Sequence, residues 1–81
     1  MVRVLLFGKL RDVAGWRERT CTPEPATLSA LKALICAGDP ALSRALAAPG
    51  VQAAVDRVLA RDDSPLNEGS EVAFMPAMSG G

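Results

Sequence analysis

Val2-Arg3-Val4-Leu5-Leu6-Phe7 opens the chain with two interleaved apolar sets, Val2/Val4/Leu6 and Leu5/Phe7, interrupted only by Arg3. Alternation in a β-branched and aromatic run predicts a strand, and apolar residues on both faces predict a central one. Gly8 closes it. Leu10, Val13 and Ala14 then recur at helical spacing before Gly15, which predicts one short helical turn with a glycine stop and Arg11 on its outer side. Trp16 to Thr22 alternates large or charged side chains with Thr20 and Cys21, predicting a second strand whose charges suit a sheet edge, with Trp16 over the core.

Pro23-Glu24-Pro25 breaks this pattern. Thr27 stands as an N-cap before Leu28, Leu31, Leu34 and Ile35, which recur at the spacing of a helix's buried face. Gly38 stops that helix. Asp39-Pro40 combines a capping side chain with a first-turn proline, and Leu42 with Leu46 predicts a second, shorter helix ending by Pro49-Gly50. Val51, Ala53 and Val55 alternate as a strand, Asp56-Arg57 makes a tight turn without its usual glycine, and Val58-Leu59-Ala60 returns. Arg61 to Ser70 is turn chemistry anchored by Leu66, and it delivers a last strand, Glu71 to Met75, with Val72 and Phe74 on one side.

The order strand, strand, helices, strand, strand, strand is an α+β arrangement without an internal repeat. A last strand lying beside the first is able to pair with it in parallel, because the helical segment supplies the crossover that parallel pairing needs. The helices are then expected on one sheet face. The folded domain spans 1–75, and 76–81 form a tail.

Composition narrows the function. Eighty-one residues and 8.4 kDa make one small domain with a modest core, burying about 62% of the unfolded surface. Formal net charge is zero, which argues against nucleic acid as a partner. The signs are nevertheless segregated: residues 1–20 carry five basic side chains, and Asp56 to Glu71 carries five acidic ones. No apolar run approaches the ~18 residues of a membrane span, and no signal-peptide profile opens the chain, so the expected location is cytoplasmic and away from membranes. Cys21 and Cys36 lack the spacing of a metal or redox motif and read as small packed hydrophobes. No metal site is expected. The chain has no histidine or tyrosine, which removes the usual general base and a common proton donor and points catalysis toward partners.

The tail is the remaining candidate. Pro76-Ala77-Met78-Ser79-Gly80-Gly81 follows the last strand with residues unsuited to regular structure. Six residues reach at most about 20 Å when extended, far enough to enter a pocket on another protein. The terminal carboxyl of Gly81 is the candidate reactive group, and Gly80 beside it has no Cβ to fill a narrow channel. Phe7, Leu59, Phe74, Met75 and Met78 are candidates for an apolar patch around the tail root, although Phe7 and Phe74 also fit core positions. Pro76 and Ser79 join them as partner-binding candidates on the tail itself, and Arg11 is a candidate to pair with an acidic partner group.

These residues resemble the β-grasp sulfur-carrier family, and within it the MoaD-like branch, the small subunit of molybdopterin synthase. The resemblance rests on Val2 to Gly8 leading into Leu10-Arg11-Asp12 and Gly15, on Ala53-Ala54-Val55-Asp56 before Pro65-Leu66, and on Gly69-Ser70-Glu71-Val72-Ala73-Phe74 running into Pro76 and Gly80-Gly81. Departures from the family pattern are Asp56 for an asparagine, Ser70 for an aspartate, Met75 for an aromatic residue and Ala77 for a second proline. The resemblance implies a β-grasp (ubiquitin-like) mixed sheet of about five strands packed on a helical crossover. It also implies that an E1-like adenylyltransferase uses ATP to adenylate Gly81, and that a sulfur donor protein replaces AMP to leave a thiocarboxylate. The large subunit of molybdopterin synthase, in a heterotetramer, then takes the sulfur into the pterin precursor. No cofactor is bound permanently in this scheme, since ATP belongs to the activating enzyme. Two other uses of the same terminus are a ubiquitin-like modifier joined to lysine and a thiamine-pathway sulfur carrier.

Overall fold

The computed structural model describes residues 1–77. Its elements are β1 (Val2–Leu6), α1 (Lys9–Ala14), β2 (Glu18–Cys21), α2 (Leu28–Cys36), α3 (Pro40–Leu46), β3 (Gln52–Val55), β4 (Val58–Ala60) and β5 (Glu71–Met75). The strands form a single mixed sheet in the order β2-β1-β5-β3-β4, so the last strand in sequence is the central one in space. β5 runs parallel to β1, with Val4 opposite Val72 and Leu6 opposite Phe74. On its other side it runs antiparallel to β3, with Val55 opposite Val72 and Ala53 opposite Phe74. The charged strand β2 lies at an edge, as its pattern predicts.

Alternation along these strands sorts the sheet into two faces. Val2, Val4 and Leu6 of β1, Ala53 of β3, and Val72 and Phe74 of β5 meet Leu10, Leu28, Leu31, Ile35, Leu42 and Leu46 from the helices in one core. The two crossover helices begin at side-chain caps. Thr27 Oγ1 accepts from the Ala30 amide at 3.2 Å, and Asp39 Oδ1 accepts from the Leu42 amide at 3.0 Å. Each cap stabilises its helix by roughly 1 kcal/mol. Leu34, expected on the buried stripe, is instead 53% exposed. At about 100° per residue it sits a quarter-turn away from the line through Leu28, Leu31 and Ile35, beyond the width of a single apolar stripe.

Two departures from the family pattern have local structural explanations. Asp56 and Arg57 both have positive φ, 49° and 72°, the backbone of a type I′ hairpin turn. Asp56 Oδ1 accepts from the Glu71 amide at 2.9 Å, tying that turn to the start of β5. Ser70 is buried at 3% exposure, and its hydroxyl accepts from the Asn67 amide at 3.0 Å, closing the loop that launches β5. A short hydroxyl is sufficient for that bond. Trp16 precedes β2 rather than belonging to it; it packs on the core, with the Arg19 guanidinium 4.3 Å above its ring.

Candidate functional site

The chain leaves the domain from the end of its central strand. The Phe7 amide donates to the Phe74 carbonyl at 3.1 Å, extending the β1–β5 pairing to the point where Pro76 removes the next donor. Pro76 and Ala77 are half-buried. These first two residues of the expected tail lie against the body, Pro76 beside Gly8 and Ala77 beside Gly50. Met78, Ser79, Gly80 and Gly81 lie outside the described residues.

The candidate patch divides between the two sheet faces. Phe7 is 47% exposed and Leu59 64% exposed, and Met75 is half-buried. Phe74 does not belong with them. It is 1% exposed and sits in the core, because its register opposite Leu6 and Ala53 turns it toward the helices. A partner cannot reach that side chain without opening the fold. Its place on the outer face is taken by Ala73 and Met75, one residue to either side.

The outer face continues across the strands. Leu5 is opposite Ala73, Ala73 opposite Ala54, and Ala54 opposite Leu59, so an apolar stripe runs from β1 to β4. Three strand-to-strand steps make it about 14 Å long. Among the described residues no helix covers this face, since the core cluster draws its sheet residues from the opposite alternating set. Leu5, Ala54 and Ala73 were not among the sequence candidates. The signal was present in the second apolar set, Leu5/Phe7, which fits an uncovered docking face as well as a doubly buried strand.

Charges border the stripe. Beyond Leu5, Arg3 bridges Glu18 at 2.7 Å and Glu71 at 3.0 Å, and the Arg3 hydrogen bond holds the Glu18 carboxyl below its ordinary value. At the same end of the stripe, Arg11 and Arg17 line a shallow recess with Leu5, Leu6, Phe7 and Glu18. Arg11 projects from α1 into solvent, as its helical position predicts. This places two cations beside exposed Phe7, a margin suited to an acidic partner surface. Both cysteines have thiols pushed above their ordinary value, chiefly by desolvation, consistent with packed rather than reactive side chains.

A mixed sheet with helices on one face, an uncovered apolar stripe on the other and a chain end issuing from its central strand defines a β-grasp domain of the ubiquitin-like class. The chain belongs to the ThiS family, whose sequence pattern matches residues 4–81. It is similar to the molybdopterin synthase sulfur carrier subunit of Escherichia coli, 33% identical over 81 residues and covering 100% of both chains. The subunit of the same name from Chlamydomonas reinhardtii is 36% identical, with 99% of this chain and 98% of that one covered. Among solved structures, SAMP1 from Haloferax volcanii superimposes with a TM-score of 0.83 at 25% identity, covering 99% of this chain and 98% of that one.

Proposed function

We propose that this chain is the sulfur-carrier subunit of molybdopterin synthase, and that the carboxyl of Gly81 is the group that carries the sulfur. The observation that carries this reading is the alignment of this chain with two sulfur carrier subunits of that enzyme, at 33% and 36% identity over 100% and 99% of its length. The architecture supports it: the tail issues from the strand held on both edges, beside a face that leaves room for a partner.

The chemistry follows from the weakness of a carboxylate as an electrophile. A Gly81 carboxylate oxygen attacks the α-phosphorus of ATP in the activating enzyme, and pyrophosphate leaves. A sulfide equivalent from the donor protein then attacks the acyl carbon, and AMP departs with the oxygen that had been activated. The product is a thiocarboxylate. Both intermediates must be shielded from water, which requires a closed pocket on the partner and a slender chain to enter it. Gly80 and Gly81 meet that steric demand, having no Cβ. The large subunit docks on the open sheet face through Leu59, Phe7 and Met75 and receives the sulfur.

Intact mass measurement after incubation with the cognate activating enzyme, ATP and a sulfur donor tests the reading. Exchange of one oxygen for sulfur at the C-terminus is the expected product. The similarity to SAMP1 makes conjugation the competing outcome, and adducts on lysine in place of the thiocarboxylate would show a protein modifier instead.

A further inference from the structure

The sheet register brings a glycine to each flank of the emerging chain. Leu6 lies opposite Phe74 in the parallel pair, so two further steps set Gly8 beside Pro76. Gln52 lies opposite Met75 in the antiparallel pair, so two steps in the reverse sense set Gly50 beside Ala77. A Cβ on Gly8 would stand 2.9 Å from Pro76 Cγ, and one on Gly50 would stand 2.8 Å from Ala77 Cβ and 3.5 Å from its Cα. Neither obstruction is the free end of a flexible side chain. The proline ring is closed onto its own backbone nitrogen, and the alanine methyl is fixed to its Cα. Relief therefore requires the tail root and the segment bearing the glycine to move apart.

Gly15, Gly38 and Gly69 also have positive φ, but a Cβ on any of them meets nothing within 4 Å. Backbone conformation accounts for glycine at those three. At Gly8 and Gly50, with φ of 55° and 85°, close approach of the tail root is a second and independent requirement.

We propose that Gly8 and Gly50 form a two-sided clasp that seats Pro76 and Ala77 against the end of the sheet, and so sets the point from which the chain is presented to the activating partner. That presentation rests on the sulfur-carrier reading; the clasp itself does not. From Ala77 to Gly81 the chain advances four residues, which reach at most about 14 Å. The partner's reactive centre must lie within that radius of the Gly8/Gly50 end. Gly8 and Gly50 are thus positioning residues, acting through Pro76 and Ala77.

Gly50→Ala combines two effects, strain at positive φ and collision with Ala77. Adding Ala77→Gly removes the collision and keeps the strain, which separates them. Both variants are expected to show a lowered thermal midpoint from the shared strain at positive φ. Gly50→Ala alone should raise the KM for adenylation by about tenfold through loss of ordering at the root, with kcat little changed, and the double variant should recover most of that loss. Wild-type KM in Gly50→Ala, or a double variant no better than the single one, overturns the clasp. In the wild-type chain, nuclear Overhauser contacts are expected between the Gly50 α-protons and the Ala77 methyl, and between the Gly8 α-protons and the Pro76 ring. Their absence overturns the clasp whether or not the chain is activated. Their presence in a chain that the cognate enzyme fails to adenylate overturns the sulfur-carrier reading and leaves the clasp standing.

Discussion

The two faces of this sheet are built from the same three inner strands and nearly the same residue types, yet they do opposite things. On the covered face, Val4, Val72 and Phe74 are between 0% and 1% exposed beneath the helices. On the open face, one residue along each strand, Leu5 and Ala73 are only half-buried, Ala54 is 8% exposed, and Leu59 of the edge strand β4 projects into solvent. Hydropathy does not separate the two sets. What separates them is the presence of the α2–α3 crossover on one side, which converts apolar area into folding free energy there and leaves it free for association on the other.

That contrast predicts the largest effect on the covered face. Phe74→Ala removes a fully buried ring from the centre of the core and should destabilise the domain by about 3–5 kcal/mol. A chain of 81 residues has a total stability of only about 4–12 kcal/mol. Chemical denaturation should therefore show a midpoint displaced far toward zero denaturant, with loss of partner binding following only from unfolding. A folded Phe74→Ala chain of near wild-type stability and selectively weakened partner binding would move Phe74 from the core to the interface and break the division between faces.

Leu59→Ala tests the other side. Its side chain lacks a covering layer, so the stability change should stay within about 0.5 kcal/mol. Affinity for the large subunit should fall by roughly five- to thirtyfold, the range of a moderately important interface residue. Calorimetric titration of the folded variant measures this directly. Unchanged affinity alongside unchanged stability would show that the stripe ends before β4, with docking confined to Leu5, Phe7, Ala73 and Met75.

Much of this division was legible in the sequence where the determining interactions are local. Thr27 and Asp39 announce their helices because a cap and the amide it satisfies lie three residues apart. Val72 and Phe74 share a face because alternation is a property of the strand itself. The errors arise where the answer depends on a neighbour distant in sequence. Leu5 and Phe7 form an apolar set that fits double burial or an open face equally well, and only the placement of both crossover helices on one side decides between them. Phe74 could be assigned to core or patch until its register with Leu6 and Ala53 was known. The roles of Gly8 and Gly50 at the exit were hidden for the same reason, since each depends on β5 arriving between two strands from the other end of the chain.

The smallest expected effect concerns the charged border of the open face. Arg3 Nε meets Glu18 Oε2 at 2.7 Å while its other arm reaches Glu71, and all three side chains are substantially exposed. The Arg3 hydrogen bond is the main cause of the lowered Glu18 pKa, relative to an ordinary value of 4.5. A carboxyl with a depressed folded-state pKa contributes stability above its unfolded value, and that contribution disappears as pH falls through the folded value. Glu18→Gln should therefore be slightly less stable than wild type near neutral pH, with the gap closing in acid below 4.5. Added salt should narrow it as well, because exposed ion pairs are screened. Paired denaturation curves across that range measure the effect. A gap that persists unchanged in acid would mean that Glu18 contributes through packing, and the border would then belong to the apolar face rather than bound it.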